Sequence, residues 1–192
     1  MAGVRVKLEN VRLSFPEIFQ AKAIDGGAKP RYSATFLFEP NSEAHKTILR
    51  SMLAAAKIFW GEKGEETFQA LLKKSSQICL HDGSEKDYDG YEGMMYISAH
   101  NYTRPGVFDS NRDPITSESL GRPYSGCYVN CVVEFYGQRH PKSGNRINCS
   151  LSSVQFLRDG PAFTGGRPGT VDDYDDVSDI GSANNDPIDE LL

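Results

Sequence analysis

Four acidic residues crowd one short stretch, Asp82, Asp87, Asp89 and Glu92, and clustered carboxylates are the hard ligands that Mg²⁺ or Ca²⁺ takes. A metal-dependent nuclease is the enzyme such a cluster would serve. The calcium-loop pattern fails, because Glu85, Asp87, Asp89 and Gly90 mimic positions one, three, five and six while Tyr96 stands at position twelve instead of a chelating Glu. The stretch HDGSEKDYDGYEG therefore reads first as a solvated loop, with the nuclease as the alternative. Cys79, Cys127, Cys131 and Cys149 stand at no paired metal-ligand spacing, and the last three keep step with inward apolar residues, which predicts buried, reduced thiols. His45 falls on a helical pattern, His81 and His140 in turns and His100 at a strand end, each an ordinary polar residue. There is no GxSxG elbow, phosphate-cradling GxxxxGK[ST], HExxH or dinucleotide fingerprint. The expectation is a protein without catalytic activity, metal or cofactor.

Aromatic and basic residues say more. Tyr96, His100, Tyr102, Tyr128 and Tyr136 alternate with apolar residues, so they occupy the faces opposite the expected core. Intervening loops add Arg104, Phe108, Arg112, Arg122, Tyr124, Arg139, Lys142 and Arg146. Rings on an open face with cations at its edges suit single strands, whose unstacked bases stack on rings while Lys and Arg neutralise phosphates. A virion or scaffold protein, using the same tyrosines for subunit contacts, is the further alternative.

The elements that must carry these residues follow from periodicity. Val4, Val6 and Leu8 alternate with charged residues, and Val11, Leu13 and Phe15 continue out of phase, which predicts a strand with a bulge near Glu9 and Asn10, stopped at Pro16. Tyr32, Ala34, Phe36 and Phe38 predict a second strand. From Ser42 to Trp60 the apolar spacing becomes three and four behind a Ser42 cap, a helix, and a weaker helical stretch runs from Glu65 to Lys74 with Phe68, Leu71 and Leu72 on one face. Strands are expected again at Gln77 to Leu80, Gly93 to Tyr102, Cys127 to Tyr136 and from Ile147 to Phe156, where a phase shift precedes Val154. Thr103 to Ser125 is irregular, and the core is expected to end after Arg158. No internal repeat is present. The expected fold is mainly β, a five- to six-stranded OB-fold-like barrel with a helical insertion at about residues 42–75, filling residues 1–160.

The 192 residues suffice for one domain, and no apolar run approaches the ~18 residues of a membrane span. Neither a transmembrane helix nor a signal peptide is expected. The net charge of −5 hides an asymmetry. Asp172, Asp173, Asp175, Asp176, Asp179, Asp186, Asp189 and Glu190 form a run without Lys or Arg, while all 21 basic residues and the other 18 acids precede it, a net +3. Residues 161–192 are accordingly expected to be a flexible acidic tail that competes with DNA for the basic body. Its tip, Ile188, Leu191 and Leu192 beside Asp189 and Glu190, is an acidic and apolar hook for a partner protein.

Three blocks carry a resemblance. LENVRLSFPEIFQAKA, HDGSEKDYDGYEGMMYISAHNYTRP, and YSGCYVNCVVEFYG followed by SLSSVQFLRDG resemble, in order and spacing over about residues 6 to 160, a family of bacteriophage single-stranded DNA-binding proteins. That resemblance implies an OB fold with helical additions, a role in phage replication, recombination or repair, no catalysis, and location in the cytoplasm of the infected host. Implied partners are single-stranded DNA, more weakly duplex DNA, and replication or recombination proteins met through the tail, with homo-oligomerisation left open. Gly90, Gly93, Pro105 and Gly126 in these blocks set the fold. The tail ends in IDELL where an aromatic tip is frequent, so the resemblance leaves the partner unnamed.

Overall fold

Leu8 and Val11 both turn inward in the first strand because Asn10 takes a left-handed φ of +52° and the pairing skips from Leu8/Cys131 to Val11/Val129. This is the expected bulge, and without it every later side chain would change face. The computed structural model describes residues 2–163; the acidic run and its tip lie outside the described residues. Pro16 does not end the strand, which runs as β1 over Val4–Lys22. A second irregularity, between Ser14 and Glu17, sits where Phe15 has φ +45°, and a proline without a donor is tolerated at such a bulge. The pairing of β1 with β6 (Tyr128–His140) ends at Arg12, the residue at which its pairing with β2 (Arg31–Phe38) begins, so this bend lies within the β1–β2 ladder.

The remaining strands are β3 (Leu80–Asp82), β4 (Met95–Asn101), β5 (Gly106–Phe108) and β7 (Gly144–Arg158). Antiparallel pairing runs β4-β2-β1-β6-β7, and a parallel contact at His100/Ser150 joins β4 to β7, closing a five-stranded barrel. The OB-like expectation holds, with β3 and β5 added. β3 lies a little later than expected, since Ser75–Gln77 is a 3-10 turn, and it takes in His81. β5, inside the segment read as irregular, pairs parallel with β7 from Gly106/Ser153 to Phe108/Gln155. The phase shift in β7 is present, its register slipping between Ser153 and Leu151.

Two helices separate β2 from β3. Ser42 Oγ accepts the His45 N–H at 3.2 Å and caps α1 (Glu43–Trp60), which buries Ile48, Met52, Ala55 and Ala56 against the barrel. The end of α1 seats on β6 where Gly137 leaves room, since a Cβ there would lie 2.6 Å from Phe59. Helix α2 (Gly64–Leu71) buries Phe68 and Leu71 but leaves Leu72, expected on the same face, exposed. Inside the barrel Phe36, Phe135, Ile97, Val133 and Leu151 are fully buried. All four cysteines are buried free thiols, and burial pushes Cys127 up to about 12 and Cys131 higher still, so neither is a thiolate at neutral pH.

The expected end of the core at Arg158 is corrected. Phe163 is buried against Leu37, Tyr91 and Tyr96 in a second cluster outside the barrel. Gly126, at φ +106°, admits that last segment, because a Cβ there would meet the Pro161 carbonyl at 2.3 Å. Apolar surface left on the outside of β2 and β4 is what Phe163 covers.

Candidate nucleic-acid interface

Along β6 the buried residues Val129, Cys131, Val133 and Phe135 alternate with half-buried Tyr128, Asn130, Val132, Glu134 and Tyr136. Pairing with β7 sets these opposite Arg158, Gln155, Ser153, Ser150 and Asn148 in turn. The result is one continuous outer face, about 40 Å long at the usual rise per residue of a 13-residue strand. Its far end is the β6–β7 hairpin, which brings together Arg139, Lys142 and Arg146. Arg139 Nε donates to Asn145 Oδ1 at 3.4 Å and Arg146 to Ser143 Oγ at 3.3 Å. His140 Nδ1 accepts the Lys142 and Ser143 N–H groups, and Gln77 pins the turn through the Ser143 carbonyl.

Next to β7, His100 pairs with Ser150 on one side and Ser33 on the other, and Tyr102 lies just beyond the end of β4. Tyr102 is 55% exposed and Lys29 Nζ sits 4.7 Å from its ring centroid. Arg31, at the start of β2, is close enough to His100 and Tyr136 to influence their titration. Lys29 and Arg31 were not among the residues picked from the sequence, because nothing in their local pattern marks them. Only the pairing of β2 with β4 brings them to the tyrosine. In OB barrels the face of the second and third barrel strands, here β2 and β4, and the loops beside it bind oligonucleotides.

Burial is the first cause that lowers the His100 pKa, with Arg31 as the second, so the fold favours neutral imidazole. His45 and His81 are lowered by burial too. Unfolding raises these values back to the usual 6.5, so stability is intact above that pH. It is lost as pH falls through 6.5 toward the folded values. The melting temperature is expected to drop between about pH 7.5 and about pH 5.5, and less steeply in His100→Gln. A drop of equal slope in that variant would remove His100 from the account.

Tyr128 is held between cations. Arg158 lies 3.6 Å and Arg12 5.7 Å from its ring centroid, and Arg12 also sits 4.3 Å from Phe163. Arg12 donates further to the Gly126 carbonyl at 3.0 Å and the Pro161 carbonyl at 2.6 Å, and Arg158 to Asn10 Oδ1 at 3.1 Å. Sequence reasoning missed both arginines, which read as ordinary strand charges until the register set them on either side of one ring.

Three expectations of an open face are corrected. Tyr96 is only 6% exposed, stacked on His81 and edge-on to Tyr91, because the 83–94 loop and Phe163 fold over that side of β4. Tyr124 is equally buried, its hydroxyl donating to Asp159 at 2.7 Å. Arg122 pairs with the same carboxylate at 2.5 Å and lies over Phe156. Arg104, exposed, donates to the Thr116 carbonyl at 2.7 Å and braces the 103–125 loop, whose Phe108 and Arg112 border the β6–β7 face.

In the acidic loop Asp82 caps a 3-10 turn through the Ser84 N–H, and among the described residues no three His, Cys, Asp or Glu side chains are grouped to hold a metal ion. Asp87 and Asp89 instead border a cavity beside Phe15 and Tyr88, an exposed edge-on aromatic pair 5.1 Å apart that the alternation alone did not reveal.

Comparison with known proteins bears on this face. The family described as Enterobacter phage Enc34, ssDNA-binding protein, matches residues 4–186. A relative described as putative protein p50, from Acyrthosiphon pisum secondary endosymbiont phage 1, is 43% identical over 180 residues, 91% of this chain and 95% of its own. The solved single-stranded DNA-binding protein of bacteriophage Enc34, in complex with ssDNA, superposes with a TM-score of 0.69 at 30% identity, over 83% of this chain and 89% of that one. Bacteriophage T7 gp2.5, at 9% identity and a TM-score of 0.55 over 95% of this chain and all of its own, shares the fold. With a closed OB-like barrel, rings and cations along one outer face, and a family match through almost its full length, the chain belongs to the Enc34 family of bacteriophage single-stranded DNA-binding proteins.

Proposed function

We propose that this chain binds single-stranded DNA with little sequence preference, coating and protecting it in the cytoplasm of the infected host during phage replication, recombination or repair. The observation that carries the reading is the exposed Tyr102 ring under Lys29, beside Arg31 and His100, on the face where OB barrels take oligonucleotides. Bases stack on rings of this kind and tolerate any sequence, while the hairpin cations Arg139, Lys142 and Arg146 neutralise phosphates. Duplex DNA buries its base faces in its own stack and binds more weakly. Residues 172–192, with eight acids and no Lys or Arg, act as a tethered polyanion that competes for the same cations and, once displaced, offers Ile188, Leu191 and Leu192 to a replication or recombination protein. Among the described residues no helix is long and apolar enough to cross a membrane.

Titration with single-stranded and duplex oligonucleotides across a salt series tests this. With three to five phosphate contacts, log affinity for single strands is expected to fall against log salt with a slope of roughly −2 to −4. A chain ending at Val171 is expected to bind more tightly at low salt and to discriminate less against duplex, a gain that shrinks as salt screens both interactions. A slope near zero would overturn the phosphate contacts, and equal low-salt affinity would overturn tail competition.

A further inference from the structure

A cleft of ≈ 300 Å³ opens on the β6–β7 face, between β1 on one side and β5 with the loop after it on the other. Val132 forms its floor, Phe108 one wall, Lys7 of β1 and Arg112 its cationic borders, and Asn130 and Gln155 its polar end. We infer that this cleft is a nucleotide-binding subsite, in which one base of the bound single strand lies against Phe108 with its edge toward Asn130 and Gln155 and its phosphates toward Arg112 and Lys7. The inference rests on single-stranded DNA binding and places one base in a position that the Tyr102 face does not require.

The parts are held in advance. Gly106 lets the Phe108 ring fold back, since a Cβ there would lie 2.8 Å from it. Asn130 Oδ1 accepts the Asn10 N–H, Asn130 Nδ2 donates to Gln155 Oε1 at 3.2 Å, and Gln155 Nε2 donates to the Asp109 carbonyl at 3.3 Å. This chain of bonds fixes both amides, yet each keeps an amide proton and an oxygen lone pair for a base edge. Asp109 Oδ1 in turn accepts the N–H groups of Asn111 and Asp113, and the turn so formed holds Arg112 at φ +74°. Arg112 occupies the left-handed position of that turn, where glycine is the less strained residue, and the turn fixes this cation at the rim of the cleft. The volume is at the lower end of ligand pockets, as suits a single nucleotide. Lys7 is paired to Glu9 at 2.7 Å in the free protein, and a phosphate would replace that exposed carboxylate.

Full-length protein titrated with labelled oligothymidylate at low salt provides the test. Phe108→Ala is expected to weaken binding by about 5- to 150-fold, the range for loss of one stacked base. Arg112→Gly relieves the backbone, so its melting temperature is expected to stay level or rise, while affinity falls and the salt slope shrinks by about 0.7. This second variant decides the matter should Phe108→Ala fold poorly. Wild-type affinity and slope in Arg112→Gly would overturn the subsite while Tyr102→Ala still weakens binding. Absence of binding by the wild-type protein would overturn the broader reading instead.

Discussion

Phe135→Ala is expected to remove about 3–5 kcal/mol of folding stability, seen as a lower urea midpoint with an unchanged slope. The ring is fully buried inside the barrel, on β6 between Val4 of β1 and Cys149 of β7, on the side of β6 that α1 packs against. Closed strands cannot collapse into the space, because the β4–β7 contact and the α1 seat at Gly137 hold them apart. The cavity therefore persists, and its cost adds to the lost transfer energy. A domain of this size holds about 5–15 kcal/mol in all, so the variant loses a large share of its stability, and bound DNA should restore part of it. A loss below about 1 kcal/mol would mean that the barrel is not packed around this ring.

Legibility in the sequence followed from how local the signal was. The bulge at Asn10 could be read because two alternating runs met out of phase, and the Ser42 cap because it stands directly before a change of period. β5 could not, since three residues carry no periodicity and its partner lies some fifty positions away in β7. Pro16 misled for a related reason. A proline stops a central strand, but here it falls at a bulge in the β1–β2 ladder, beyond Arg12, the last residue of β1 that pairs with β6. For the site, alternation told which side of β4 and β6 faces away from the barrel, but not what lies over that side. Tyr136 and Tyr128 remained on an accessible face, whereas Tyr96 was covered by Phe163, a residue distant in sequence and beyond the expected end of the core. The arginines around Tyr128 needed three strands in register before their chemistry could be seen.

Three tyrosines of equal standing in the sequence should therefore give three different results when each is replaced by alanine. Tyr102, exposed beneath Lys29, supports little of the fold, so Tyr102→Ala should change stability by no more than about 0.5 kcal/mol while weakening single-strand binding by about 1–3 kcal/mol. Tyr96, packed among His81, Tyr91, Leu37 and Phe163, should show the reverse: roughly 3 kcal/mol of stability lost and near-normal affinity in the protein that stays folded. Tyr128 should show both effects. Its ring helps to hold Arg158 and Arg12, each cation-π contact worth about 0.5–2 kcal/mol, and its loss removes one anchor from each guanidinium at the end of the β6–β7 face. Tyr128→Phe keeps the ring and should restore both properties, because the cations use the ring face and not the hydroxyl. Melting temperatures and oligothymidylate titrations on the same four preparations separate these outcomes. Normal affinity in Tyr102→Ala together with weakened binding in a stable Tyr96→Ala would mean that DNA enters by displacing the Phe163 segment, and the contacts would have to be shifted along β2 and β4 from the Tyr102 end to the part beneath that segment.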